Sequence, residues 1–243
     1  LIEPGAIVVS ATKGIEADSL KRMSEVIREE TDGRNPVVVL SGPSFAAEVA
    51  QRLPTALVAA SDDDAAVVLV QAEFRGPQFR LYGTPDVVGV EIGASLKNII
   101  AIAAGVVESL GLGHNAMSAL ITRGLAEIAR LSYAMGGQRD TPAGLSGLGD
   151  LVLTCTGSLS RNRHVGIELG RGRSLDDILA SMRMVAEGVK TTTAALALGE
   201  KHGVELPIAA QMAEVLAGRK SPRGAVGDLM LRPQRGERDQ GNR

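Results

Sequence analysis

The sequence predicts an α/β region followed by an all-helical region, and two observations support this. In the first third of the chain, short β-branched runs alternate with helix-type patterns, which is typical of an open sheet flanked by helices. After about residue 86 the strand-type runs stop and only helical periodicity remains. We therefore expect a partial α/β domain over residues 1–88 and a helical domain over residues 89–243.

Local patterns predict each element of the α/β region. Apolar, β-branched runs predict strands at residues 6–10, 37–40, 56–61 and 79–82. Helix patterns lie between them at residues 16–30, 44–53 and 62–74, and the aspartates at 62–64 are expected to cap the last helix.

The helical region is built from two long apolar patterns and several shorter ones. The predicted helices cover residues 90–109, 117–135, 160–170, 174–182, 191–202 and 208–217. Ser174 and Asp177 have the spacing of a capping box. From Gly218 the chain forms a tail rich in Arg, Gly and Pro, and we expect this tail to be frayed at its end.

Composition excludes several classes of protein. The net charge of −2 and pI near 6.0 disfavour a nucleic-acid partner. One cysteine, Cys155, rules out an internal disulfide framework and fits a reducing compartment. No apolar run of membrane-spanning length and no signal peptide are recognised, so a cytoplasmic protein without membrane insertion is expected.

Lys97 is the first candidate for chemistry. It lies within residues 91–105, which are otherwise almost wholly apolar, and shares a helix face with Gly93, Ala101 and Ala104. Partial desolvation lowers the pKa of such a lysine and suits it to carry a proton. The alternative is a lysine whose ammonium group reaches the edge of the helix, and spacing alone leaves both interpretations open.

Two polar segments follow in the helical region. The glycine-rich residues 144–149 predict a tight loop that presents Asp150 at a helix start, where the alternative is a plain N-cap. Ser160, Arg161 and Asn162 open the next helix, where hydroxyl, amide and guanidinium groups could bind phosphate. A solvated helix start is the alternative.

Two loops follow predicted strands directly. Lys13 comes after the first strand, and residues 42–46, with Gly42 and Ser44, come after the second. Because open α/β sheets bind ligands at the carboxyl ends of their strands, an anionic ligand is expected there. Ordinary strand-to-helix turns are the alternative for either loop alone.

Three further signals are interpreted as structural. Residues 111–116 fit G-x-G-x-x-A but follow a helix pattern, so the dinucleotide context fails. The histidines, His114, His164 and His202, lack ligand spacing and no metal site is expected. Cys155 lies in an apolar stretch and is interpreted as a core residue.

Together these segments resemble the bacterial type of NAD(P)-dependent sn-glycerol-3-phosphate dehydrogenase. The matching pieces, in the family's order, are ATKG at 11–14, SGPSFAAE at 41–48, GASLKNIIAIAAG at 93–105, ALITRGLAEIARL at 119–131, GLGDLVLTCT at 147–156, SRNR at 160–163 and AEG at 186–188. Ser44 and Ala186 depart mildly from a family pattern that often has Thr and Val at these positions.

The resemblance implies a partial Rossmann-like sheet followed by a helical domain of the 6-phosphogluconate-dehydrogenase C-terminal type. It implies interconversion of sn-glycerol 3-phosphate and dihydroxyacetone phosphate with NAD or NADP, supplying glycerophospholipid synthesis, and a homodimer as a candidate assembly. Lys97 matches the proton-accepting lysine. The implied substrate contacts are Lys13, Gly42, Ser44, Lys97, Asp150, Ser160, Arg161 and Asn162. The implied cofactor contacts are Lys13, Ala46, Arg161, Val185 and Glu187.

The family opens with a strand and a G-x-G-x-x-G turn that binds pyrophosphate, and this chain starts beyond that unit. The 243 residues by themselves are therefore expected to bind dinucleotide poorly and to associate through an uncovered strand edge. Two alternative functions stay open: a related β-hydroxyacid or 6-phosphogluconate dehydrogenase, and an inactive fragment that acts only in assembly.

Overall fold

A computed structural model of the chain describes residues 2–182, 186–234 and 236–237. Its strands form one sheet in chain order: β1 Val8–Ser10, β2 Val37–Ser41, β3 Thr55–Ala60 and β4 Phe79–Thr84. The pairs β1–β2 and β3–β4 are parallel, whereas β2 and β3 are antiparallel. The predicted strands are confirmed, and β1 and β2 end at the same edge of the sheet.

The antiparallel pair was not expected from the strand–helix alternation. Parallel strands need a crossover of roughly a dozen residues or more, usually with a helix that runs back along the sheet. The helix between β2 and β3 is only the five-residue α2, Ala46–Ala50. It is too short to return along the sheet, so the chain turns and β3 runs antiparallel to β2.

The other two helices of the α/β region are α1, Met23–Glu30, and α3, Asp64–Glu73. The cap predicted for α3 is confirmed, because the Asp63 side chain accepts a hydrogen bond from the Ala66 amide at 3.0 Å. The helix predicted from residue 16 begins only at Met23. Residues 15–22 instead form a loop closed by a bridge between Ile15 and Arg22.

The helical region contains eight helices among the described residues. They are α4 Val87–Ser109, α5 Gly113–Ala134, α6 Asp150–Thr156, α7 Arg161–Gly170, α8 Leu175–Ser181, α9 Glu187–Lys201, α10 Pro207–Leu216 and α11 Pro222–Met230. A 3₁₀ turn, Thr141–Ala143, and a π-helical turn, Leu145–Gly149, precede α6.

No helix was predicted after residue 217, yet α11 forms there, while the expected frayed end of the tail falls mostly outside the described residues. Ser221 caps this helix by accepting a hydrogen bond from the Gly224 amide at 3.1 Å, and Pro222 occupies its first turn. Serine followed by proline is a recognised helix start.

Helix α4 forms the centre of the helical region and packs against α5, α6, α7 and α9. By length and hydropathy it could cross a membrane, contrary to the expectation that no such run exists, but 94% of its apolar window is buried inside the protein. Its first turn, at Val87 and Val90, packs with apolar residues of the sheet. Because α4 contacts both the sheet and the other helices, its position does not define a domain boundary. The boundary between two domains at residue 88 therefore stays a prediction.

Helices α4 and α7 approach so closely that only glycine fits at their contact. A Cβ on Gly166 would lie 1.8 Å from the Ile102 carbonyl oxygen, and one on Gly105 would lie 2.0 Å from that of Arg163. This contact fixes the start of α7, with Ser160 and Arg161, relative to the helix that carries Lys97.

Candidate active site

The carboxylate of Asp150 lies between two lysines. Its Oδ2 atom accepts a hydrogen bond from Lys13 Nζ at 2.7 Å, and its Oδ1 atom accepts a short one from Lys97 Nζ. Lys97 Nζ also donates to Thr154 Oγ1 at 2.7 Å, and Lys13 Nζ to the Gly42 carbonyl at 3.3 Å. Residues from four separate segments therefore meet around one carboxylate.

The pKa of Lys97 is lowered to about 8. Burial is the main cause, since the side chain is 6% exposed, and the nearby Lys13 cation lowers the pKa further. Asp150 acts in the opposite direction. A lysine with a pKa near neutrality can both accept and release a proton in the physiological range. The interpretation of Lys97 as a lysine that reaches the helix edge is therefore wrong, because its ammonium group is buried.

The glycine-rich turn places Asp150 in this position. A Cβ on Gly147 would lie 2.1 Å from the Pro142 carbonyl oxygen, so the π-helical turn folds tightly over the preceding 3₁₀ turn. Gly93 of α4 faces the same turn, where a Cβ would lie 3.0 Å from the Ser146 carbonyl oxygen. Asp150 is the first residue of α6 and its side chain makes ion pairs, so the plain N-cap interpretation is wrong.

The loops that follow β1 and β2 meet at this site through Lys13 and the Gly42 carbonyl. Gly42 has φ of +136°, and a Cβ there would lie 2.9 Å from Leu57 Cδ2, so the position requires glycine. Ser44 Oγ donates to the Gly42 carbonyl at 3.2 Å, and Ala46 is exposed at the start of α2.

At the start of α7, some side chains are held by other parts of the protein and one is exposed to solvent. Ser160 caps the helix by accepting from the Arg163 amide at 3.2 Å, and Asn162 Oδ1 accepts from the Gly188 amide at 3.0 Å. The Arg163 guanidinium pairs with Glu108. Arg161 is exposed and has no hydrogen-bond or ion-pair partner within the described parts of the chain. Of the two arginines, Arg161 is the one available to an anion.

The predicted cofactor contacts at the start of α9 are only partly described. Val185 lies outside the described residues. Glu187 is half-buried at the first position of α9, and its Oε2 atom accepts from Asn98 Nδ2 at 3.4 Å. Asn98 follows Lys97 directly, so this contact connects the start of α9 to the lysine-bearing helix.

Sequence interpretation missed Thr154 and Asn98. Thr154 Oγ1 donates to the Asp150 backbone carbonyl at 2.6 Å and accepts the hydrogen bond from Lys97. Its position four residues after Asp150, on the same helix face, was the available signal. For Asn98 the signal was a second polar residue beside Lys97 in a run that is otherwise apolar.

The signals interpreted as structural are confirmed where the structure bears on them. Residues 111–116 span the end of the α4–α5 connection and the first turn of α5, and they follow a helix and not a strand. Cys155 is fully buried, and burial raises the pKa of its thiol to about 12, which leaves it protonated and unreactive at neutral pH.

Comparisons with known proteins assign the chain to a family. Residues 1–67 match the family model described as NAD-dependent glycerol-3-phosphate dehydrogenase N-terminus, and residues 86–227 match the model of its C-terminus. The chain is 60% identical over 230 residues to glycerol-3-phosphate dehydrogenase [NAD(P)+] of Koribacter versatilis, covering 93% of this chain and 68% of the relative.

Identity to the Geobacter sulfurreducens protein of the same name is 54% over 240 residues, covering 98% of this chain and 72% of that relative. The crystal structure of glycerol-3-phosphate dehydrogenase from Coxiella burnetii superposes with a TM-score of 0.89 at 42% identity, covering 93% of this chain and 69% of that one. The chain belongs to the NAD-dependent glycerol-3-phosphate dehydrogenase family.

Proposed function

We propose that this chain carries the catalytic centre of an enzyme that interconverts sn-glycerol 3-phosphate and dihydroxyacetone phosphate with NAD(P). The observation that carries the proposal is the buried Lys97 ammonium group on Asp150, beside Lys13. The names of the relatives support it. They favour neither a β-hydroxyacid dehydrogenase nor a role limited to assembly.

Lys97 is the proton carrier in this proposal. In the oxidative direction, neutral Lys97 accepts the proton of the C2 hydroxyl. A nicotinamide held at the site would supply the acceptor for the C2 hydride, and loss of the proton and the hydride together would make C2 a ketone carbon. In the reductive direction, the Lys97 ammonium returns that proton to the oxygen. Asp150 holds the charged form, and Thr154 Oγ1 fixes the direction of the Nζ atom.

The phosphate of the substrate is assigned to the side of the site lined by α7. Arg161 has the planar fork that binds phosphate bidentately, and its side chain has no partner among the residues that the structure describes. Lys13, Gly42, Ser44, Ser160 and Asn162 complete the proposed substrate contacts. Ser160 Oγ and Asn162 Oδ1 each already accept a hydrogen bond from the backbone, which orders the start of α7. The Ser160 hydroxyl hydrogen and the Asn162 amide hydrogens can still donate to the substrate.

The residues present fit the nicotinamide end of a dinucleotide. β1 and β2 are parallel, and the loops at their carboxyl ends contact each other through Lys13 and the Gly42 carbonyl. Lys13 of the first loop also contacts Asp150. The hydroxyl of Ser41, the last residue of β2, is buried without a partner among the described residues. Lys13, Ala46, Arg161, Val185 and Glu187 are the proposed contacts. Either NAD or NADP, held by these residues, would supply the hydride acceptor.

We also propose that the protein acts in the cytoplasm, where it supplies glycerophospholipid synthesis, and that it assembles as a homodimer. The burial of α4 inside the protein supports the absence of membrane insertion by this helix. Sedimentation of the purified protein checks the assembly state.

Substitution of Lys97 tests the proposal. All turnover measurements use a version of the protein that carries the family's N-terminal nucleotide-binding unit. In this version, Lys97→Ala should reduce turnover of sn-glycerol 3-phosphate by about 10²–10⁴-fold, since general acid–base catalysis is typically worth that much. The measurement is steady-state turnover in both directions with NADH and NADPH, with a 3-hydroxyacid and 6-phosphogluconate as competing substrates. Circular dichroism confirms that the variant folds. Retention of more than roughly a tenth of the rate in a folded variant would remove Lys97 from this role.

A further inference from the structure

A second buried carboxylate, Glu91, lies on α4 outside the site. It is 4% exposed. Its Oε1 atom accepts from the Ser24 amide at 2.8 Å, and its Oε2 atom accepts from Ser24 Oγ at 2.6 Å and from Arg22 Nη1 at 2.8 Å. Three donors from one short segment therefore converge on one carboxylate. Burying a carboxylate is costly unless it is paired and hydrogen-bonded, and these three donors meet that requirement.

The segment that Glu91 binds is the junction at which the loop that carries Lys13 ends, at Arg22, and α1 begins, with Ser24 in its first turn. This loop runs from the end of β1 to the start of α1, and a bridge between Ile15 and Arg22 closes its second half. Ile15 and Leu20 pack against the apolar core of the helical region. The loop is thus fastened to the helical region at its far end, and Arg22 with Ser24 provides the polar part of that attachment.

Glu91 and Lys97 share the same helix. They are six residues apart, which is roughly 9 Å along the axis at the helical rise. Lys97 reaches Asp150 from α4, and Lys13 reaches the same carboxylate from the loop. The position of Lys13 relative to Lys97 therefore depends on how the loop is attached to α4.

We propose that Glu91 is a positioning residue, which holds the Lys13 ammonium group against Asp150 by fastening the end of the Lys13 loop to α4. The inference rests on the proposed role of Lys97 and adds a residue that touches neither substrate nor cofactor. Loss of the carboxylate releases Arg22 and Ser24, the loop moves, and the Lys13 cation retreats from Asp150 and Lys97.

A purely structural role for Glu91, as a cap for the amino end of α1, predicts something different. Its loss would then lower stability and leave the environment of Lys97 unchanged. The titration of Lys97 separates the two roles, because the Lys13 cation is one of the causes that lower the pKa of Lys97.

The test is a pH titration of the Lys97 side chain by NMR in the purified 243-residue protein, with Lys97→Arg used to assign its signal. Glu91→Gln keeps the shape and one acceptor but removes the charge. We expect its Lys97 midpoint to rise by roughly 0.5–1 pH unit, the size expected when a like charge retreats by a few ångströms. Glu25→Gln is the matched control. Glu25 also pairs with Arg22, at 2.9 Å, but lies on the solvent side, and its loss should leave the midpoint in place.

Repeating the titration in a variant that lacks the Lys13 ammonium group makes the test specific to Lys13. In Lys13→Met protein the Lys97 midpoint is already raised, and adding Glu91→Gln should move it no further. If Glu91→Gln does not fold, Ser24→Ala, which loses only the hydroxyl contact, should raise the midpoint by a smaller amount. An unchanged midpoint in the folded variant, or an equal shift in the Lys13→Met background, overturns the proposal. The titration needs no turnover, so its result is independent of whether the proposed function holds.

Discussion

Asp150 and Glu127 are both buried carboxylates of the helical region, yet their surroundings differ. Asp150 is bound by the ammonium groups of two lysines. Glu127, on α5, accepts from the backbone amides of Ile208 and Ala209 at 2.7 and 3.4 Å, where it caps the start of α10. Burial raises the pKa of Glu127 to about 7, while nearby arginines and these amides act against that rise.

The comparison shows that burial alone does not mark a catalytic carboxylate. Glu127 stabilises a helix start, and its partners do not titrate. Asp150 binds Lys97, whose own pKa is lowered to about 8. This pair lies at the edge of the sheet where the loops after β1 and β2 meet. The partners of each carboxylate therefore predict which substitution affects turnover and which affects stability.

The largest effect is expected for Asp150→Asn. It leaves Lys13 and Lys97 close together without the carboxylate that binds both, so the pKa of Lys97 falls further and its protonated form is lost. We expect turnover in the reductive direction to fall by about 10²–10⁴-fold, the usual worth of a placed proton donor. Breaking a buried ion pair should also cost about 3–5 kcal/mol of unfolding free energy. Turnover assays and urea denaturation measure the two effects, and near wild-type reduction would contradict the assignment.

A smaller effect is expected for Arg161→Lys. Lysine keeps the charge but loses the planar fork, so the KM for the phosphorylated substrate should rise by about tenfold, since one charge-assisted hydrogen bond is worth about 1.5 kcal/mol. The side chain is exposed, so the free energy of unfolding should change by less than about 0.5 kcal/mol. Arg163→Lys serves as the comparison, because Arg163 pairs with Glu108 and should affect stability more than KM. An unchanged KM for Arg161→Lys would assign the phosphate to Lys13.

The smallest effect on turnover is expected for Glu127→Gln, which should leave kcat within about twofold since the residue is outside the site. Its effect is on pH-dependent stability. The pKa of Glu127 is raised on folding from 4.5 to about 7, so the folded state holds the proton more tightly. Stability is therefore greatest below the unfolded pKa and falls as pH rises through the folded value. Urea denaturation between pH 4.5 and 7 should show this slope in the wild type, reduced in Glu127→Gln; an identical slope in both would assign it to other groups.

The strands and most helices were predictable because their apolar periodicity is local. The antiparallel turn of β3 was not, since it depends on how a five-residue helix packs. Lys97 and Asp150 were found individually, but a separation of 53 positions hides their contact from any local pattern. The sequence also could not predict that Arg163 is held in an ion pair while Arg161 is exposed. This difference depends on Glu108, which lies far from both arginines in the sequence, at the end of α4.

The pH dependence of kcat/KM in both directions tests the central claim most directly. Lys97 must be neutral to accept the C2 hydroxyl proton and charged to return it, and its pKa is lowered to about 8. Oxidation of sn-glycerol 3-phosphate should therefore rise with pH through about 8, and reduction of dihydroxyacetone phosphate should fall through the same midpoint. In Lys97→Ala, the residual kcat/KM should show neither the rise of the oxidation rate nor the fall of the reduction rate at this pH. Profiles that are flat across this range, or steps that persist at the same midpoint in Lys97→Ala, would contradict the assignment of Lys97 as the proton carrier.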